Sequence, residues 1–123
     1  MAILISPSVL RPLFWIMGLF ALFMALIPHP PALHVFEGDK IQHMAAFASL
    51  TVVARLGWRD LHWSRILIGL SLFGVAIELL QALPIIHRDC QFSDWVADTL
   101  AILVALPLAT WATRRWPIPE PAL

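Results

Sequence analysis

The chain has 123 residues, of which 60% are hydrophobic and 13% are charged, and its formal net charge at pH 7 is zero. A chain this apolar is poorly suited to folding around one small core in water, and we expect a lipid bilayer to be its solvent. The balanced charge excludes a strong bulk attraction to nucleic acid or to an acidic substrate, so no nucleic-acid partner is expected.

Four hydrophobic segments are predicted to form membrane-spanning helices, which need roughly 17 to 25 mainly apolar residues each. They cover about residues 12–27, 39–56, 64–83 and 93–112. Pro12 suits the first turn of the first helix. No strand-like alternation and no internal repeat competes with this interpretation. The sequence therefore predicts an all-α, polytopic membrane protein, a four-helix bundle in which residues 1–123 form a single domain.

The first segment has a second interpretation, a cleaved signal peptide, since the basic residue Arg11 precedes its apolar stretch. The residues that follow, IPHPPALHV, contain no good small-x-small cleavage site, and proline crowds the position. We therefore expect an uncleaved first helix.

The basic residues predict how the helices are oriented. One side of the predicted bundle holds six arginines, and the other side holds only Lys40 and Arg88. The six are Arg11, Arg55, Arg59, Arg65, Arg114 and Arg115. By the positive-inside rule, both termini and the middle connection are cytoplasmic. The six tryptophans lie near predicted helix ends, as aromatic anchors at a membrane interface do.

Most of the polar residues inside or beside the predicted helices fall at the outer end of the bundle. They are Asp39, Lys40, His43, Glu78, Gln81, Arg88, Asp94 and Asp98. Helical spacing places Asp39 with His43, Glu78 with Gln81, and Asp94 with Asp98 on one face of their helices. We expect these polar side chains to meet where the three helices come together.

Small residues share the faces that carry the acidic side chains. Alanine recurs at every fourth position of the last helix, and Ser71, Gly74 and Ala82 accompany Glu78. The alanines are Ala97, Ala101, Ala105 and Ala109. Small residues let membrane helices approach closely, so these faces are predicted to pack against other helices and not against lipid. The first helix carries no comparable stripe of charged residues and is expected at the periphery.

Ionisable groups in membrane segments cost free energy, at least about 2.5 to 3.5 kcal/mol for Asp, Lys or Arg on insertion scales. One interpretation is structural, with Lys40 and Arg88 pairing with carboxylates and bracing three helices. The other is a functional pocket open to the outside. The acidic excess at this end would be relieved by shared protons, a charged His43 or a bound cation.

The polar residues and their order resemble the VanZ-like family, which is named for a membrane protein of teicoplanin resistance. The family pattern has D-K-x-x-H in one helix, E-x-x-Q near the end of the next, and then R-x-x-x-x-x-D-x-x-x-N. The sequence supplies DKIQH, ELLQ and RDCQFSDWVAD in that order, and Asp98 stands where asparagine is expected. The resemblance covers the second to fourth helices.

The resemblance implies a multi-pass protein of the bacterial inner membrane that is linked to the cell envelope, and it leaves open whether the chain is an enzyme. The first hypothesis is an outward-facing site that binds or processes a lipid-linked sugar or peptidoglycan precursor. Its acid/base candidates are Glu78, Asp94 and His43. Its substrate-binding candidates are Asp39, Lys40, Gln81, Arg88 and Asp98. No cofactor is expected.

Three alternatives stay open. A metal-assisted version would use His43, Glu78, Asp94 and Asp98 as ligands and would favour Mg or Mn. A non-catalytic interaction or scaffold protein would use the charged cluster only to brace its helices, and would bind a membrane-protein partner or a second copy of itself. Proton-coupled transport is the third, although the cytoplasmic half offers no comparable polar path.

Overall fold

A computed structural model of the chain describes residues 6–27, 39–86 and 92–115. These residues form four α-helices and a short 3₁₀ helix at Pro84–Ile86. The α-helices are α1 (Pro7–Leu26), α2 (Asp39–Gly57), α3 (Trp63–Gln81) and α4 (Phe92–Arg115). The prediction of an all-α protein with four helices is confirmed for this part of the chain.

The start of α1 differs from the prediction. Ser6 caps the helix, and its hydroxyl accepts a hydrogen bond of 3.2 Å from the Ser8 backbone N–H. Pro7 occupies the first turn, where a proline without an N–H costs nothing. Pro12 therefore lies inside the helix and not in its first turn, because the Ser-Pro pair provides a better start upstream.

Consecutive helices run antiparallel, and α2 has extensive contacts with two of the other three. α2 packs most extensively against α4, then against α1, and α4 also packs against α3. Contacts between α1 and α3 are few, so the order around the bundle is α1, α2, α4, α3. The hydrophobic core between them includes Phe47, Leu50, Ile77, Ile102 and Leu106. As expected from the sequence, α1 is peripheral, with only Leu10 and Ala25 buried.

Two ends of the bundle differ in charge. The polar end comprises the end of α1, the start of α2, the end of α3 and the start of α4. The arginine end is the opposite one, where the six arginines at positions 11, 55, 59, 65, 114 and 115 lie. At the arginine end, Arg11 joins α1 to α2, because its Nε donates a 2.9 Å hydrogen bond to the Gly57 carbonyl.

Arg55 has a structural role that the sequence did not indicate. Its side chain is buried, and its Nη2 donates hydrogen bonds to the carbonyl oxygens of Trp58 and Leu61. These carbonyls belong to the turn between α2 and α3. A guanidinium held in this way fixes the path of the turn, whereas sequence analysis assigned Arg55 only to membrane orientation.

Three of the helices, α1, α3 and α4, are long and apolar enough to cross a membrane. α2 is not among them, although the sequence analysis counted it as a spanning segment. The reason lies in its position, since a helix covered by its neighbours can carry polar residues such as Thr51, which is fully buried and bonds to the Phe47 carbonyl. A helix that other helices shield from lipid can be less hydrophobic than one that faces lipid.

The alanine face of α4 is buried, as predicted. Ala97, Ala101, Ala105 and Ala109 are each at most 8% exposed. On α3, Gly74 is buried and Ser71 is half-buried, but Ala82 is exposed because it lies beyond Gln81, where the helix has ended. Small side chains along α4 therefore set the close approach of the central helices.

This packing predicts the effect of enlarging one alanine. Ala101→Leu should lower the free energy of unfolding by about 1 to 3 kcal/mol, because the added atoms have no space between packed helices. Thermal unfolding of the purified protein in detergent measures the change. The matched control is Ala76→Leu on the exposed face of α3, which should melt like the wild type. Equal melting of both variants would contradict close packing at the alanine face.

Candidate functional site

The polar end gathers side chains from three helices into one cluster. α2 contributes His43, α3 contributes Glu78 and Gln81, and α4 contributes Asp94 and Asp98. Asp98 and Gln81 are each 2% exposed and Glu78 is 7% exposed, whereas His43 and Asp94 are half-buried. His43, Glu78, Asp94 and Asp98 interact electrostatically, so these four converge as helical spacing predicts, and Gln81 lies at the same end of the bundle. We call the five residues the polar cluster.

A pair between α2 and α4 forms the centre of the polar cluster. His43 Nδ1 lies 3.8 Å from Asp98 Oδ2, a distance suited to an ion pair when the imidazole is protonated and longer than a direct hydrogen bond. Asp94 and Glu78 also act electrostatically on His43, more weakly than Asp98 does. One imidazole thus lies within the field of three carboxylates from two other helices.

Asp98 retains an unused acceptor. Its Oδ1 is buried and has no hydrogen-bond partner among the described residues, and the same holds for Gln81 Oε1. Buried polar atoms normally have partners, since leaving one unsatisfied costs about 1 to 3 kcal/mol. Two acceptor oxygens at the same end are therefore available to a hydrogen-bond donor brought by another group.

A hydrophobic layer lies directly beneath the polar cluster. Phe47 follows His43 by one helical turn, Ile102 follows Asp98 by one turn, and Ile77 precedes Gln81 by one turn. All three are at most 2% exposed and belong to the core. Apolar core residues therefore lie one turn from the polar cluster on each of the three helices, and the buried Thr51 lies one further turn along α2.

Gln81 joins the polar cluster to α1. Its Nε2 donates a 2.9 Å hydrogen bond to the carbonyl oxygen of Ala25. This carbonyl lies in the last turn of α1, where the final carbonyl groups have no partner within their own helix. Gln81 therefore satisfies a helix end as well as belonging to the polar cluster, a contact that the E-x-x-Q spacing alone did not reveal.

Trp95 was interpreted from the sequence only as an interfacial anchor. In the structure it is half-buried, and its Nε1 donates a 3.2 Å hydrogen bond to the Ser71 carbonyl. Its ring packs beside Gly74, where an added Cβ would lie 3.3 Å from Trp95 Cδ1. Ser71 and Thr99 also share a hydrogen bond between α3 and α4. The small residue Gly74 was the feature of the sequence that could have predicted this contact, because a glycine on a packing face leaves space for a large side chain.

Three predicted site residues cannot be placed in this cluster. Arg88 lies outside the described residues, as do the neighbouring Asp89 and Cys90. Asp39 and Lys40 begin α2, but the structure does not describe their side chains. The cationic partners expected from the sequence, Lys40 and Arg88, therefore remain predictions.

The donor set of the polar cluster does not form a metal site by itself. Within residues 6–27, 39–86 and 92–115, no three His, Cys, Asp or Glu side chains are arranged to hold a metal ion. The arrangement can instead accept hydrogen bonds at carboxylate oxygens and exchange a proton between imidazole and carboxylate. Those capacities suit a ligand that presents hydroxyl, amide or cationic donors.

Comparisons with protein-family models, with curated proteins and with solved structures gave no match for the chain. Its classification therefore rests on its own residues and geometry.

The contact between Gln81 and Ala25 provides a test of how the site is built. Gln81→Met keeps a side chain of similar length but leaves the Ala25 carbonyl without its donor, which should reduce stability by about 1 to 3 kcal/mol. Thermal unfolding in detergent measures this loss. The control Leu80→Met alters the adjacent, partly exposed residue and should have little effect. Unchanged stability of Gln81→Met would show that the α1 end does not depend on this bond.

Proposed function

We propose that the chain is a VanZ-like integral membrane protein of the bacterial cell envelope. Its polar cluster would face outward and bind an envelope component, a lipid-linked sugar or peptidoglycan precursor. The observation that carries this proposal is the burial of Asp98 and Glu78, which both act electrostatically on His43, one turn from apolar core residues. Carboxylates in such a position carry a desolvation cost that a binding function would explain.

The proposed location is the bacterial inner membrane, crossed several times, with both termini in the cytoplasm. The arginine end supports this orientation, because basic residues are enriched on the cytoplasmic side of membrane proteins. Its six arginines contrast with the acidic polar cluster at the other end. In this orientation the polar cluster opens toward the envelope, where glycolipid precursors are displayed.

The chemistry of the polar cluster suits such a ligand. Sugar hydroxyl and amide groups donate hydrogen bonds, and Asp98 Oδ1 is an unused acceptor among the described residues. Lys40 and Arg88 are proposed to contact the phosphate or carboxylate of the same ligand. His43 beside Asp98 and Glu78 could move a proton if the bound component is also processed, so a catalytic role is a further part of this proposal.

A second candidate is a non-catalytic scaffold or interaction protein, and one observation favours it. The His43–Asp98 pair joins α2 to α4, the two helices with the most extensive packing. A charged pair in that position can fix the register of the helices without binding anything. The two candidates predict different results when His43 and Asp98 exchange positions.

The single cysteine, Cys90, tests the proposed orientation. It lies in the sequence between α3 and α4, on the side proposed to face outward. A membrane-impermeant maleimide added to intact cells or spheroplasts should therefore label the wild type. The matched control combines Cys90→Ser with Asp60→Cys in the turn between α2 and α3, and it should react only after the membrane is permeabilised. The reverse labelling pattern would invert the proposed topology.

Binding of a purified lipid-linked peptidoglycan precursor tests the proposed site. Asp98→Asn, Glu78→Gln and His43→Gln should each weaken binding by at least about tenfold, since a hydrogen bond to a charged group contributes about 1.5 to 3 kcal/mol. Affinity can be measured by native mass spectrometry or by ligand-induced thermal stabilisation. Asp60→Asn, at the arginine end, is the control and should bind like the wild type.

The exchange variant, His43→Asp together with Asp98→His, separates the two candidates. A structural pair needs only opposite charges on the two helices. If the pair is structural, the exchange should therefore recover the stability and any precursor binding that the single variants His43→Asp and Asp98→His lose. If the pair belongs to a binding site, each group must keep its own position. The exchange should then recover the stability lost by the single variants but not their precursor binding. Absence of precursor binding in the wild type would remove the first candidate.

A further inference from the structure

An apolar groove of about 470 Å³ runs along the side of the bundle where α1 and α3 make few contacts. α2 forms its floor through Leu50 and Ala54, and its walls include Phe14 and Leu22 from α1 and Ile66 and Phe73 from α3. Its volume lies within the range of about 300 to 1,000 Å³ typical of ligand sites. We call it the α1–α3 groove.

The lining residues of the α1–α3 groove extend from the arginine end of the bundle to Leu22 and Phe73. Beyond Leu22 and Phe73, toward the polar end, the bond from Gln81 to Ala25 ties α3 to α1. At the arginine end it is lined by Trp15, Trp58 and Arg65. The distance along α3 from Arg65 to Phe73 is about 12 Å, at roughly 1.5 Å per residue.

Two glycines give the groove its width. Gly18 on α1 and Gly69 on α3 both line it, and a Cβ added at either position would meet no atom within 4 Å. Close packing against a neighbouring helix therefore does not require glycine at either position. Larger residues at these positions would project into open space in the groove and fill it, without displacing backbone.

The mouth of the groove carries positive charge. Arg65 lines it and is exposed, and it is one of the six arginines at this end. Asp60 is the single acidic residue at this end among those the structure describes. Arg11 and Arg55 donate hydrogen bonds to backbone carbonyls, whereas Arg65 lies at the arginine end of the α1–α3 groove. A ligand with an apolar tail and an anionic head matches both features.

We infer that the α1–α3 groove holds an acyl chain of an anionic phospholipid, whose phosphate lies at Arg65. The apolar lining extends about 12 Å along α3 from Arg65 to Phe73, which gives the acyl chain its contact surface, and the guanidinium provides bidentate donors for the phosphate. The tryptophans at the mouth lie at the level of the headgroup, where their amphipathic rings are favoured. This site is separate from the polar cluster and does not depend on the ligand proposed there.

Lipid retention by the full-length protein tests the inference. The protein is purified in uncharged detergent, freed of lipid and titrated with phosphatidylglycerol or phosphatidylcholine of the same acyl chains. Native mass spectrometry then gives the affinity for each. The wild type should prefer phosphatidylglycerol by about fivefold or more, as expected for one basic residue at an anionic lipid surface. Arg65→Gln should bind both lipids equally and weakly.

Filling the groove distinguishes a bound lipid from lipid that coats the surface. Gly69→Leu should weaken binding of both lipids by at least about tenfold, a factor that about two buried methylene groups already supply. Ala76→Leu makes a similar change at an exposed residue two turns further along the same face of α3, beyond the residues that line the groove, and should bind like the wild type. Thermal unfolding of both variants verifies that they are folded.

Three results would overturn the inference. Equal affinity of the wild type for the two lipids would remove the role of Arg65. Unchanged phosphatidylglycerol binding by Gly69→Leu would place the lipid elsewhere on the surface. A wild-type dimer that Gly69→Leu dissociates, without any lipid preference, would identify the groove as an interface between two copies of the chain.

Discussion

The close packing of α4 against α2 is the constraint on which the rest of the molecule depends. Alanine at every fourth position of α4 leaves room for the bulk of α2, and the two helices approach along most of their length. That approach brings His43 to Asp98 and covers Thr51, so α2 can be less apolar than its neighbours. It also leaves α1 and α3 on the opposite side with few contacts between them, and the α1–α3 groove results.

Much of this arrangement could be predicted from the sequence, because it depends on spacing within single helices. The four helices, the buried alanine face and the convergence of His43, Glu78 and Asp98 all follow from residues three or four apart sharing one face. Such periodicity needs no knowledge of the partner helix. It also explains why the boundaries of α2 and α3 differ from the prediction by no more than two residues at each end.

The features that were missed depend on contacts between segments. Arg55 was read as an orientation signal, and only the path of the following turn brings two carbonyls to its guanidinium. Trp95 looked like a membrane anchor until α3 placed Gly74 beside its ring. α2 was counted among the spanning segments from the sequence, and by length and composition only α1, α3 and α4 of the described helices are apolar enough to cross a membrane.

Gln81 belongs to the polar cluster and also holds the end of α1, and its amide has groups left for a further partner. Its Nε2 bonds to the last turn of α1, while its Oε1 has no partner among the described residues. Its Nε2 carries a second N–H, so a molecule at the polar end can bond to that N–H or to Oε1 while the bond to Ala25 stays in place. One side chain then connects such a molecule to the last turn of α1, and a ligand that orders Gln81 would also order the end of a helix that it does not touch.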